Sequence, residues 1–180
     1  MTVKDITDQL ADIKSEEGLA ECAEHLVKHW SATWIDAEVI EPILRFMESR
    51  PQWNFGMPGP LVHFLETFYG LGYEEKLTES IKRKPTPHTV WMLNRVIRGA
   101  KANDQRTRWL DLLALVASDI HVDAATAERS RRFLAWHAKR AVLPDDQASD
   151  GVAPAESTAT VADSEREIDH PVRFDRPSGG

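Results

Sequence analysis

The chain has 180 residues, 42% of them hydrophobic, with a formal net charge of −7 and a single cysteine. That composition suits one globular domain with an appendage, and it excludes an internal disulfide and a multi-cysteine zinc site. No apolar run approaches the roughly eighteen residues of a membrane span, and Met1-Thr2-Val3-Lys4-Asp5 lacks the apolar core of a secretory signal, so no membrane partner and a cytoplasmic location are expected.

Val3, Ile6, Leu10 and Ile13 recur at helical spacing and define a first helix. Leu19, Cys22, Ala23, Leu26 and Trp30 define a second, with Ser15 as its expected cap and Cys22 as a buried small hydrophobe. Asp36 is placed to cap a third helix reaching Arg50. It carries Val39, Ile40, Ile43, Leu44 and Met47 inward, with Pro42 kinking it or delaying its start.

The loop Pro51–Pro60 mixes turn formers with Trp53 and Phe55, so it is expected to pack onto the body. Gly59-Pro60 opens a core helix bearing Leu61, Phe64, Leu65 and Phe68, which Gly70 ends. A helix from Tyr73 to Arg83 follows, with Lys82, Arg83 and Lys84 suited to the negative end of its dipole.

Pro85-Thr86-Pro87 then forces one helix to stop and another to begin, because Pro85 disfavours helical geometry at Lys84, Thr86 is a good N-cap and Pro87 suits the first helical position. Val90, Leu93, Val96 and Ile97 make the inward stripe of the new helix, and Gly99 ends it. His88, Trp91, Asn94, Arg95 and Arg98 are expected largely on its outer side, a polar and aromatic display that stability alone does not require.

Asn103 or Asp104 opens a helix whose Trp109, Leu110, Leu112, Leu113, Leu115 and Val116 predict the most buried helix of the domain. Asp123 caps a last helix with Ala127, Phe133, Leu134 and Ala138 inward and Arg129, Arg131, Arg132, Lys139 and Arg140 outward. Residues 145–180 are poor in large apolar side chains and are expected to form an acidic, disordered tail after a domain spanning 1–144. No segment alternates as a strand would. The fold class is therefore all-α, about eight helices in antiparallel pairs, arranged as a HEAT-like α-solenoid or an irregular helical bundle.

Charge is segregated along the chain. Residues 1–80 hold 15 acidic and 6 basic side chains, residues 81–144 hold 5 and 13, and residues 145–180 hold 9 and 3. Such a pattern permits pairing within the fold or a basic face for an anionic partner.

His25 and His29 have the four-residue spacing of two metal ligands, but no third ligand is set by the pattern. There is no phosphate-cradling glycine loop and no nucleophile elbow, and His63, Glu66 and His88 do not by themselves define a reaction. Neither an enzyme nor a bound cofactor or metal is expected. Nucleic-acid association through Arg95, Arg98, Lys101, Arg106, Arg108, Arg129, Arg131 and Arg132, interleaved with Trp91, Trp109 and Trp136, is a rival reading, as is a general interaction scaffold.

Two stretches, Gly56-Met57-Pro58-Gly59-Pro60-Leu61-Val62-His63-Phe64-Leu65-Glu66 and Arg83-Lys84-Pro85-Thr86-Pro87-His88-Thr89-Val90-Trp91-Met92-Leu93-Asn94-Arg95, resemble small α-helical immunity proteins of bacterial polymorphic toxin systems (Rhs, contact-dependent and type VI). The resemblance runs from about Trp53 to Asp119. It implies a non-catalytic protein that binds a cognate toxin domain stoichiometrically and blocks it. Trp53, His63, His88, Trp91, Asn94, Arg95 and Arg98 are the residues expected to meet that partner, because aromatic and arginine anchors dominate protein interfaces.

Overall fold

Hydrogen-bonding side chains open the first helix: Thr2 accepts from the Asp5 amide while the Asp5 carboxylate accepts from the Thr2 amide, so α1 (Val3–Ala11) begins on a capping box. The computed structural model describes residues 2–32 and 36–142; the expected tail over 145–180 lies outside them. Among the described residues there are eight α-helices and no strand.

α2 (Leu19–Ser31) starts on Gly18 in a left-handed conformation, and the Ser15 hydroxyl donates instead to the Glu17 carbonyl, so the expected serine cap is not formed. Leu19, Ala23 and Trp30 are buried, and Cys22 is exposed rather than buried. One residue turns a helix by about 100°, which takes Cys22 off the stripe that its neighbour Ala23 holds. Trp30 lies fully buried against Phe64, with its indole N–H donating to Gln9 at 2.7 Å.

A short 3-10 turn, Ala37–Val39, capped by Asp36, leads into α3 (Ile40–Glu48). Pro42 falls within the first turn of α3, where its missing N–H has no intrahelical acceptor to lose, and the helix needs no kink. α4 (Pro60–Glu66) and α5 (Tyr73–Arg83) follow, with Leu61, Phe64, Leu65, Tyr73, Leu77 and Ile81 inside.

α6 (Pro87–Gly99), α7 (Asn103–Ser118) and α8 (Ala124–Val142) complete the chain, α8 starting after Asp123, whose carboxylate accepts from the Thr126 amide and hydroxyl. Alternate helices pack in the first half, α1 on α3, α3 on α5 and α2 on α4, the ladder expected of stacked helix pairs. In the second half α5 leads to α6, and α6, α7 and α8 pack on one another.

α7 is not the most buried helix. Leu115 is 66% exposed, Asp111, Ala114 and Ser118 face outward, and Trp109 and Leu110 are half-buried. With α6 and α8 as its neighbours, α7 buries a single stripe, Leu112, Leu113, Val116 and Ala117. α6 is the deeper helix, buried at His88, Thr89, Val90, Met92, Leu93, Asn94, Val96 and Ile97. On α8, Ala127 and Phe133 are inside and Leu134 half-buried, whereas Ala138 is exposed.

Part of the charge segregation is consumed by the fold. Glu48 and Glu41 of α3 pair with Arg83 of α5, and Glu66 of α4 pairs with Arg95 of α6. Acidic and basic stretches thus meet across helix contacts.

Candidate functional site

The junction at Thr86 sets the phase of α6. The Thr86 hydroxyl accepts from the Thr89 amide at 3.1 Å, and the Thr89 hydroxyl accepts from the Thr86 amide at 3.0 Å, both buried, with Pro87 in the first helical position. With that start fixed, His88, Trp91 and Arg95 recur at helical spacing along one flank.

Loop Pro51–Gly59 meets this flank. Phe55 is buried with its ring 5.4 Å from His88, and His88 lies 5.4 Å from Trp91. On its other side Phe55 contacts Phe46 at 5.9 Å and Trp53 at 6.4 Å, and Phe46 meets Trp53 edge-on at 6.1 Å. The result is a continuous aromatic row from Trp53 through Phe55 and His88 to Trp91, with Trp53 and Trp91 half-buried at its ends.

An arginine is stacked on each end. The Arg50 guanidinium lies 4.9 Å from the Trp53 ring and 4.2 Å from Phe46, and that of Arg95 lies 5.3 Å from Trp91. Arg95 is also held by Glu66 through two bonds, Nε to Oε1 at 2.6 Å and Nη2 to Oε2 at 3.2 Å. His63, with its side chain 61% exposed, places Nδ1 3.8 Å from Glu66 Oε2 and extends the row by one polar group. Arg50 differs: its guanidinium donates to Ser49 Oγ at 2.7 Å and to the carbonyls of Ile13 and Phe46, and none of these acceptors is a carboxylate.

No family model, no curated protein and no solved structure matches this chain.

The structure therefore joins Trp53, His63, His88, Trp91 and Arg95, and separates Asn94 and Arg98 from them. His88 is 7% exposed, an internal link of the row and not a surface group. Asn94 is 1% exposed, against the expectation of an outer position, because α8 crosses that side of α6 and His137 Nε2 meets Asn94 Oδ1 at 2.8 Å. Arg98 reaches toward α8 as well, 5.7 Å from the Trp136 ring. Sequence reasoning missed Arg50, Phe46, Phe55 and Glu66 as parts of the face. The density of aromatics between residues 46 and 55 was the available signal for the first three.

Chemically the row offers aromatic ring faces, two stacked guanidinium groups and the exposed His63 imidazole. Glu66 is bonded to Arg95 at 2.6 and 3.2 Å, and His63 stands farther from the same carboxylate, at 3.8 Å. Among the described residues no group of three or more histidine, cysteine or acidic side chains is gathered to hold a metal, and none of the helices is long and apolar enough to cross a membrane.

The two buried imidazoles are both held neutral. Burial, aided by nearby Arg129, pushes His88 down from 6.5 to about 4, and its Nε2 has no hydrogen-bond partner. Burial, with Arg106, Arg98 and Arg140 around it, pushes His137 down to about 4. Arg106 Nη2 lies 3.1 Å from His137 Nδ1, and because a guanidinium only donates, Nδ1 must accept and the proton sits on Nε2, facing Asn94.

A pH dependence follows. Above about pH 6.5 both rings are neutral in either state and their contribution is complete. As pH falls toward 4 the unfolded chain binds protons first, and stability declines by up to about 1.4 kcal/mol per pH unit for each histidine. His88→Phe, which keeps a ring between Phe55 and Trp91, should remove one histidine's share of this slope in melting curves taken from pH 7 to 4. An unchanged slope would show that His88 titrates normally.

Proposed function

We propose that this chain is a non-catalytic, partner-binding helical protein that neutralises a cognate toxin domain by stoichiometric capping, as its resemblance to immunity proteins implies. The observation that supports this reading most is the row itself: two half-buried tryptophans, each stacked by an arginine and backed by buried Phe55 and His88. Side chains held this way lose little rotamer freedom on binding, so more of the contact energy appears as affinity. Reliance on nucleic acid has less support, because Arg95, Arg108 and Arg131 of the basic set already sit beside Glu66, Asp104 and Glu128.

Co-expression with the toxin domain of the neighbouring reading frame tests the proposal. Growth rescue and a stoichiometric complex are expected; continued toxicity with no complex would sink it. Trp91→Ala should weaken that complex at least about 30-fold. It should also cost about 2 kcal/mol of fold stability, roughly half the value for a fully buried tryptophan, since the ring packs on the core while remaining half-exposed. Binding is therefore measured well below the variant's melting temperature, and unchanged affinity there would remove Trp91 from the interface.

A further inference from the structure

We propose that the Arg50–Trp53 end of the row receives a carboxylate side chain of the protein partner, an aspartate or glutamate flanked by an apolar residue that rests on the indole. This deepens the partner-binding reading and rests on it.

Arginines at the helix contacts of this chain are matched in two ways: half-buried Arg106 donates to the Ile97 carbonyl and to His137 Nδ1, while two others meet carboxylates. Arg83 is met by Glu48 and Glu41, and Arg95 by Glu66. Arg50 is stacked on Phe46 and Trp53 and bonded to Ser49 Oγ at 2.7 Å, with the Ile13 and Phe46 carbonyls farther off at 3.4 and 3.5 Å, and every one of those acceptors is neutral. Glu16, the acidic side chain bonded to this loop, accepts from the Asn54 amide at 2.9 Å. A planar cation held by stacking and one short hydrogen bond, with no carboxylate on it and a half-buried indole beside it, is an arrangement that an incoming carboxylate can meet at reduced ordering cost.

The opposite end of the row is already neutral. Arg95 and Glu66 cancel one another, so Trp91 presents aromatic surface with no demand for charge. Met57, 41% exposed in the same loop as Trp53, adds a soft apolar contact that accommodates varied side chains. The two ends thus ask for different things: an acidic residue at Arg50, apolar residues along Trp53 and toward Trp91.

The test uses a phage-displayed library of random heptapeptides, panned at neutral pH on the full chain and on its Arg50→Gln variant. Clones retained by the unmodified protein should carry aspartate or glutamate beside an aromatic or aliphatic residue several-fold more often than the starting library. Their synthetic peptides should bind Arg50→Gln at least about tenfold more weakly. Replacing the peptide's carboxylate by an amide, which needs no change to the protein, should cause the same loss on the unmodified chain and little further loss on Arg50→Gln. Arg132→Gln, at an exposed position on α8, should leave binding unchanged and so exclude a general charge effect.

Failure to retain any clone, absence of acidic enrichment, or binding indifferent to Arg50 would overturn the proposal. Recovery of sequences matching the chain's own acidic run at 163–169 would do so too, by making the tail the occupant. These outcomes are independent of growth rescue: loss of rescue refutes toxin neutralisation while leaving the peptide result standing, and an indifferent Arg50 refutes the acidic partner while leaving rescue intact.

Discussion

Glu48→Ala is expected to lower the free energy of unfolding by about 3 kcal/mol, near the lower end of the cost of stripping one partner from a buried ion pair. Glu48 is 4% exposed at the end of α3, and its carboxylate accepts from Ser80 at 2.6 Å and from Arg83 at two nitrogens, 3.0 and 2.5 Å away. Removing it orphans the Ser80 hydroxyl inside the core and leaves Arg83 with Glu41 at 3.2 Å and partial access to water, which is why the cost stays at the lower end. A domain of this size should show a fall in melting temperature of about 10 °C. Urea titration separates the causes: Glu48→Gln, which still offers an acceptor to Ser80, should lose less than Glu48→Ala. Glu48→Met combined with Arg83→Leu should recover most of the loss, because an apolar pair carries no desolvation penalty. A change below about 1 kcal/mol in the single alanine variant would mean that the carboxylate is solvated and the α3–α5 contact rests on its apolar residues alone.

The consequence reaches the candidate face. Glu48 is followed within a few residues by Arg50 and Trp53, so the buried carboxylate anchors the end of α3 from which the aromatic loop departs. Loss of that anchor should weaken partner binding as well as stability, and binding should return with the apolar double variant.

What the sequence made legible was local chemistry. The boundaries of α5 and α6 follow from Pro85, Thr86 and Pro87, and the inward stripe Val90, Leu93, Val96 and Ile97 follows from spacing, because cap bonds and helical phase involve residues at most a few positions apart. Glu48 and Asn94 were not legible. Their partners stand 32, 35 and 43 residues away, and nothing beside them in the chain distinguishes a buried carboxylate or amide from a solvated one. Arg95 illustrates the intermediate case: its place on the flank of α6 could be read from phase, but its neutralisation by Glu66 requires knowing that the end of α4 reaches it. The apolar side chains of α7 misled for a related reason, since a sequence rich in leucine states how much could be buried and not how many neighbours arrive to bury it.

Gly59→Ala is expected to be as damaging, at about 3 kcal/mol, and to abolish partner binding together with stability. The backbone of Gly59 is extended, at φ −99° and ψ 178°, a conformation that alanine adopts readily, so conformational preference predicts little effect. The obstacle is space. A β-carbon at Gly59 would overlap the Phe55 carbonyl oxygen and sit 2.8 Å from its carbon and 3.2 Å from Gly56 Cα, all main-chain atoms that no rotamer change can move aside. The turn must open, and opening it displaces Phe55, the ring that joins Trp53 to His88. Gly99→Ala provides the comparison: at the end of α6 its β-carbon meets nothing within 4 Å, so that variant should be neutral or slightly stabilising, as alanine for glycine in a helix commonly is. Tryptophan fluorescence distinguishes displacement of the row from simple destabilisation, because at temperatures where Gly59→Ala remains folded its emission should shift to the red while that of Gly99→Ala stays at the native wavelength. Native emission and full affinity in Gly59→Ala would show that the loop absorbs the β-carbon without moving Phe55, and that the row does not depend on the close approach of residues 55 and 59.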